Sequence, residues 1–225
     1  MPAPNVIQLR QLLKEKWPDS RFDAEQSPAR RQNHWPTGLE FLDESLGGGL
    51  PKNALTEIVA RPGAGGALLM NAFLRRAAEE NQIIALVDGR DSFDVTQTEE
   101  WILSRLLWAR CRSADEALKT ADLILRDGNI STVLLDLAAN PVAQLRKIPS
   151  TTWFRFQRIV EQTSAVCVVL TPQPLVSAAR TRITLELSRR SIHALDRGAE
   201  ELLAELKFEV SDARGSRRRH LANSA

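Results

Sequence analysis

Two stretches of this chain place chemistry-bearing residue types at a spacing that matters. The first is the turn Arg61-Pro62-Gly63-Ala64-Gly65-Gly66, which joins the short apolar run Ala54–Ala60 to a second apolar run, Ala67–Leu74. A strand, a tight glycine loop and a helix in that order is the layout of a phosphate-binding loop of the G-x-x-x-x-G-K-[ST] type. The glycines of such a loop let backbone N–H groups close on the phosphates, its Lys neutralises the β/γ charge, and its Ser or Thr holds Mg²⁺. In this register Ala60 stands at the first Gly, Gly65 at the second, Gly66 at the Lys and Ala67 at the Ser/Thr. A helix N-terminus still favours an anion, but without the cation and the hydroxyl the expectation is no cofactor, no metal and no catalysis here.

The second stretch is Ser131-Thr-Val-Leu-Leu-Asp136, an apolar run closed by a carboxylate. Opposite an intact phosphate loop, such an Asp orients the Mg²⁺ shell. Opposite this one, Asp136 reads equally as a cap or loop residue at the carboxyl end of a parallel strand. A similar run, Ile83–Val87, ends in Asp88-Gly-Arg-Asp-Ser-Phe-Asp94. Asp88, Asp91 and Asp94 individually read as residues of a solvated strand-to-helix loop.

The elements that must position these groups alternate. Residues 54–60, 83–88, 131–136 and 165–171 are short apolar runs suited to buried parallel strands, and 165–171 is the most β-like of them. Between them, 67–81, 114–126 and 148–162 read as helices; Ser113 and Glu116 form a capping box and Gly128 is the stop. Thr98–Leu107 reads as another helix. Residues 182–187 and 206–210 alternate strictly, as the two strands of a hairpin do. At the N-terminus, Val6, Leu9, Leu12, Leu13 and Trp17 fall near one face of an amphipathic helix over 5–17. This helix either packs on its own domain or docks on a neighbour. The alternation argues an α/β domain with a largely parallel twisted sheet flanked by helices.

Composition excludes several classes. With 225 residues, 43% of them hydrophobic and 26% charged, the chain has the make-up of a soluble globular domain with extensions. A net charge of +2 rules out a global basic field, though not a local one. Two cysteines, Cys111 and Cys167, fit no metal or redox spacing and read as buried thiols of a cytoplasmic protein. No signal-peptide pattern opens the chain and no apolar run is long enough to span a membrane.

Thr37-Gly38, Leu42-Asp43, Leu46-Gly-Gly-Gly-Leu-Pro-Lys52 and Thr56-Glu-Ile58 resemble the beginning of the RecA recombinase core. The form SLGGGLPKNALTEI is most similar to ImuA, the RecA-like accessory protein of bacterial mutagenic repair cassettes, in which the nucleotide loop is typically eroded. The resemblance covers roughly residues 35–210 and implies a RecA-like core with an N-terminal helical arm. It places Arg90 where the family carries the glutamate that activates water, makes Leu106–Arg110 the third core strand in competition with the helix read above, and makes Gln173 the remnant of a γ-phosphate-sensing glutamine. The connection from Thr171 to Thr181 is much shorter than the family's DNA-binding loop.

The organisation expected is therefore an N-terminal helix and linker over 1–33, a RecA-like core over 34–210 and a basic tail over 211–225. The function implied by the resemblance is that of a non-enzymatic adaptor in the DNA-damage (SOS) response and translesion synthesis. Its implied partners are RecA and ImuB, an inactive relative of Y-family polymerases, and a homo-oligomer stays open. Contact candidates are Leu9, Leu13 and Trp17 on the helix, and Arg214, Arg217, Arg218 and Arg219 in the tail. The tail reads either as a solvated terminus or as a contact for DNA phosphate or an acidic surface. The alternatives are a residual ATP- and DNA-binding recombinase-like protein and a cell-division inhibitor of the SulA type.

Overall fold

The computed structural model describes residues 4–18, 33–186 and 197–212, together with the backbone of 217–220. An eight-stranded sheet forms the middle layer. Six of its strands are parallel and lie in the order Thr181–Leu185 (β8), Ala54–Val59 (β3), Val166–Thr171 (β7), Thr132–Asp136 (β6), Ile84–Asp88 (β4) and Leu106–Arg110 (β5). Beyond β8, the strands Phe208–Asp212 (β9) and Arg217–His220 (β10) add antiparallel. The expected α/β architecture with its largely parallel sheet is the one observed. The expected hairpin is there too: Ile183 is registered on Val210 and Leu185 on Phe208.

Strand alternation sorts the core into two layers. Ala85, Val87, Val133, Leu135, Cys167 and Val169 face one side, against Ala114–Asp127 (α5) and Ser150–Thr163 (α7). Leu86, Leu134, Val168 and Leu170 face the other, against Glu40–Leu46 (α2), Gly66–Glu79 (α3), Glu100–Leu103 (α4) and Ala199–Ala204 (α8). A short helix, Val142–Leu145 (α6), precedes α7. The capping box at α5 works as read from the sequence, with a variation. Ser113 Oγ accepts from the Glu116 N–H at 3.3 Å, while Glu116 reaches back to the Arg112 N–H rather than to that of Ser113.

Before β3 the chain makes a small ladder, His34–Trp35 (β1) against Leu50–Pro51 (β2). Asp43 holds the turn ahead of α2 by accepting from the Thr37 N–H, the Thr37 hydroxyl and the Gly38 N–H. In the corner that follows, Gly49 is obligatory. Its φ is 119° and a Cβ there would lie 2.2 Å from the Trp35 carbonyl oxygen. The Thr-Gly…Asp…Gly-Gly-Gly spacing of the sequence is thus the chemistry of one turn and one close approach.

One expectation is corrected, and one left open is answered. Residues 106–110 form β5, parallel to β4, and only 100–103 are helical. Leu106 is buried and Leu107, Trp108 and Ala109 are half-buried, a pattern that a sheet edge accommodates. The N-terminal helix Pro4–Lys16 (α1) lies on its own domain, against α5. Leu13 and Trp17 are buried, the Trp17 indole donates to the Ser104 carbonyl at 2.8 Å, and Arg10 pairs with the buried Asp127 at 2.6 Å. Leu12, read with the inward residues, is 62% exposed, and so is Ile7 at 52%. Both cysteines are buried thiols, and burial pushes Cys167 up to about 12. Among the described residues no helix is long and apolar enough to cross a membrane.

A buried ion pair joins β3, β7 and β8. Glu57, at the middle of β3 and fully buried, meets Arg182 on the neighbouring strand at 2.6 Å. The same carboxylate accepts from the Thr171 hydroxyl at 2.9 Å and from the Leu175 and Val176 N–H groups at 2.6 and 3.0 Å. Removing one partner of such a pair strands the other charge in the core. Arg182→Met is therefore expected to cost ~3–5 kcal/mol, and Glu57→Gln/Arg182→Met to recover a large part of that. Urea midpoints of the three proteins measure it.

Candidate functional site

The carboxyl ends of β3, β4, β6 and β7 meet at one edge of the sheet, where open α/β folds hold their ligands. Their connections are stitched together by the backbone. Ala60 N–H donates to the Thr171 carbonyl, Gly89 N–H to that of Asp136, and Leu137 N–H to that of Leu170, at 2.8–2.9 Å. Between β3 and α3, Gly63 and Gly65 take φ of 81° and 96°, the left-handed region that such a loop needs. Ala64 is buried beneath the loop.

The position that corresponds to the phosphate-loop lysine is closed sterically. A Cβ on Gly66 would lie 2.8 Å from the Ala60 Cβ and 3.2 Å from Leu170 Cδ1. The two departures from the motif, Ala at the first Gly and Gly at the Lys, are therefore one packing arrangement: the methyl of Ala60 occupies the space a side chain at 66 would start from. Ala67, the next residue, is exposed and carries no hydroxyl.

Across from the loop, Asp88 and Asp136 are register partners on β4 and β6. They do different work. Asp88 is buried and accepts from the N–H groups of Arg90, Ser92 and Phe93, from the Ser92 hydroxyl and, at 3.4 Å, from the Trp108 indole. It is a loop organiser with its lone pairs taken. Asp136 accepts only the Ala138 N–H, at 2.9 Å, among the described residues. Burial pushes its carboxyl up to about 6, the Ala138 hydrogen bond opposes the rise and the neighbouring Asp88 charge adds to it. Asn140, also buried, ties the two loops by donating to the Gly89 carbonyl at 2.8 Å.

The remaining acidic candidates are spent locally. Asp91, at φ 55°, forms a two-pronged pair with Arg110 at 2.6 and 2.7 Å, and that hydrogen-bonded guanidinium holds its carboxyl below the usual range. Asp94 caps a single 3₁₀ turn by accepting from Thr96. Arg90 is exposed and donates to the Arg112 carbonyl. Gln173 accepts from Arg146 at 3.2 Å, on the surface.

Of the expected contact residues, Leu13 and Trp17 are consumed by the packing of α1 on its own domain, and Leu9 is half-buried against the same cluster. The reason is the Trp17 indole, which has a partner only when the helix folds back. Arg214 lies outside the described residues. Arg217, Arg218 and Arg219 lie on β10, so that part of the expected tail is a strand of the sheet. Sequence reading missed Glu57, Arg182 and Gln157. Gln157 accepts from the Leu55 N–H at 2.9 Å and donates to the Asn53 carbonyl at 3.0 Å, tying α7 to the start of β3. The available signal was a Glu inside an otherwise apolar strand, which is almost never fully buried unless paired.

Fold and site together define an α/β core with a strand–glycine loop–helix corner in which Ala60 packs against Gly66. No protein-family model matches the chain. It is similar to the RecA protein of Chlorobaculum parvum, 32% identical over 111 residues, which are 48% of this chain and 32% of that protein. It is also similar to RecA of Methylococcus capsulatus (31% over 115 residues, 49% and 33%) and of Chlorobium limicola (26% over 151 residues, 60% and 43%). The chain thus spans between 32% and 43% of the length of these relatives. It carries a RecA-like core, distantly related to RecA.

Two outcomes follow. Gly66→Lys alone should destabilise by ~1–3 kcal/mol through overpacking, and Ala60→Gly/Gly66→Lys should restore most of it, as read by thermal melting. Because the folded Asp136 carboxyl titrates near 6 against an ordinary 3.8, the folded state binds its proton more tightly. Its contribution is present below about pH 4 and lost as pH rises through about 6, about 3 kcal/mol in all. Asp136→Asn should flatten that part of the stability–pH curve.

Proposed function

We propose that this protein is a non-enzymatic, RecA-like adaptor of the ImuA kind, acting in bacterial DNA-damage response and translesion synthesis. It docks on RecA and on an ImuB-type polymerase relative. The observation that carries the reading is the filled lysine position: Ala60 against Gly66 leaves a core with the shape of a nucleotide-binding subunit and without its cation. Ala67 removes the metal-holding hydroxyl as well. A subunit of that shape that does not cycle with ATP competes with or caps RecA subunit contacts. With Leu13 and Trp17 committed internally, the outward apolar residues Ile7 and Leu12 of α1 and Phe154 of α7, at 52%, 62% and 58% exposure, supply the docking contacts.

A second reading, residual nucleotide binding in a recombinase-like protein, is favoured by one feature. Asp136 stands at the carboxyl end of β6 with few partners of its own, where such a site would need a carboxylate.

Titration calorimetry with ATP and Mg²⁺ at millimolar concentration, on wild type and Asp136→Ala, separates the two. The adaptor reading expects no heat from either, whereas saturable binding lost in Asp136→Ala would overturn it. Ile7→Glu/Leu12→Glu is expected to melt within a few degrees of wild type, as exposed sites do, and to abolish co-purification with RecA. Retention of RecA by that variant would remove α1 as the docking surface.

A further inference from the structure

A groove of about 700 Å³ lies between α3, α4 and α8, on the layer of the fold opposite α1, α5 and α7. Helix lengths explain why it exists. α3 runs for 14 residues, while its neighbours α4 and α8 have 4 and 6. Neither short helix reaches along α3, so a stretch of its outward face stays uncovered. Leu39, Leu68, Ala72, Ile102 and Leu203 form an apolar floor there. The volume is that of sites that hold ligands.

The charged rim sorts into spent and unspent groups. Arg75 pairs with Glu99 at 2.6 Å, and Arg76 is held between Glu79, at 3.7 Å, and Glu80. Glu200 and Glu201, in the first turn of α8, have no side-chain partner among the described residues. The exposed amides of Asn71 and Gln97 have none there either. Four carboxylates and two guanidiniums line the groove, so it is acidic in a chain whose net charge is +2. Beside it, Trp101 is 43% exposed, with the Arg75 guanidinium 5.6 Å from its ring. Trp and Arg are among the residue types that most often carry the binding energy of protein interfaces.

We propose that this groove docks a basic, amphipathic segment of a partner protein. The apolar residues of the segment rest on the floor, in the manner of a helix laid in a groove. Its Lys or Arg side chains reach Glu200 and Glu201, and Asn71 and Gln97 take its polar groups. Trp101 bounds one end. A small metabolite fits less well, because sites for such ligands enclose most of the ligand's surface and the rim residues here are exposed. The surface lies on the opposite layer from Ile7, Leu12 and Phe154, and the proposal does not depend on the adaptor reading.

The test selects a phage-displayed library of short random peptides against the full chain. Enriched peptides are synthesised with a fluorophore and followed by anisotropy. They are expected to carry net positive charge with apolar anchors, and to bind more tightly as salt falls. Asn71→Trp fills the groove without altering its charge, and Glu200→Lys/Glu201→Lys inverts the rim without altering the floor. Each should weaken binding by about tenfold or more. Glu15→Lys/Asp115→Lys makes the same change of net charge on the opposite layer and should leave binding unchanged, as should Ile7→Glu/Leu12→Glu. All these side chains are exposed, so the variants should melt close to wild type. Failure to enrich any peptide, enrichment of acidic peptides, or binding indifferent to Asn71→Trp would overturn the proposal. So would an equal loss in Glu15→Lys/Asp115→Lys, which would reduce the effect to bulk charge. Self-association of wild type that disappears in Asn71→Trp, read by sedimentation, would assign the groove to a second copy of this chain instead.

Discussion

A carboxylate in the middle of the sheet is the constraint on which the rest of the fold depends. Glu57 places a carboxylate fully out of solvent in the central strand β3. Desolvation of such a group costs several kcal/mol, and only complete satisfaction offsets it. Its partners come from three separate parts of the chain: Arg182 on β8, the Thr171 hydroxyl on β7, and the backbone of Leu175 and Val176 in the connection between them. Pairing β3 with β7 on one side and β8 on the other is therefore also the way to satisfy the charge. A register slip of β8 by one residue would send Arg182 to the opposite face and leave Glu57 alone. The connection 172–180 is fixed by the same group, because two of its N–H donors end on Glu57. Here a buried acceptor holds its middle.

The nucleotide edge is held by a different kind of constraint. Its loops are joined by backbone hydrogen bonds, its lysine position is filled by the Ala60 methyl, and one of its two carboxylates, Asp88, is fully occupied by its own loop. Loss of a cation usually leaves a hole or an exposed polar surface. At this edge the helix α3 has instead closed on the sheet, with Gly66 against Ala60 and Leu170. Ala60 and Gly66 are consequently not independent. A Cβ added at 66 meets the Ala60 methyl, so Gly66 can be enlarged only if residue 60 gives way.

Much of this was legible in the sequence, and the failures have physical causes. The four buried strands were readable because a parallel strand covered on both faces is a short continuous apolar run, and the hairpin because a half-covered strand alternates. The filled loop was readable residue by residue at Ala60, Gly66 and Ala67, although nothing local says that Ala60 and Gly66 touch. Leu106 and Leu107 were taken into a Thr98–Leu107 helix, against the strand the resemblance implies, because a half-buried edge strand next to a real helical turn has no clean period. Leu12 was placed inward because five apolar residues in thirteen over-determine one face. The helix has room for Val6, Leu13 and Trp17, which reach α5 and the β5 side of the sheet. Glu57, Arg182 and Gln157 are long-range pairs, separated by more than a hundred residues where they meet β3, and a single sequence carries no record of such pairs beyond the oddity of a charge in an apolar run.

The tail shows how composition and topology answer different questions. Four arginines in six residues read as a solvated terminus when taken as composition. Three of the four, Arg217, Arg218 and Arg219, stand on β10, where successive positions alternate between faces. Strand geometry assigns Arg217 and Arg219 to one face and Arg218 to the other, and a rigid ladder fixes their separation in a way a free tail does not. The α/β core therefore presents two contrasting ends. At the carboxyl edge of β3, β4, β6 and β7 the Ala60 methyl packs against Gly66 and the loops are joined by their own backbone. At the other end, β9 and β10 extend the parallel strands antiparallel, with positions 217, 218 and 219 held in register on 211, 210 and 209.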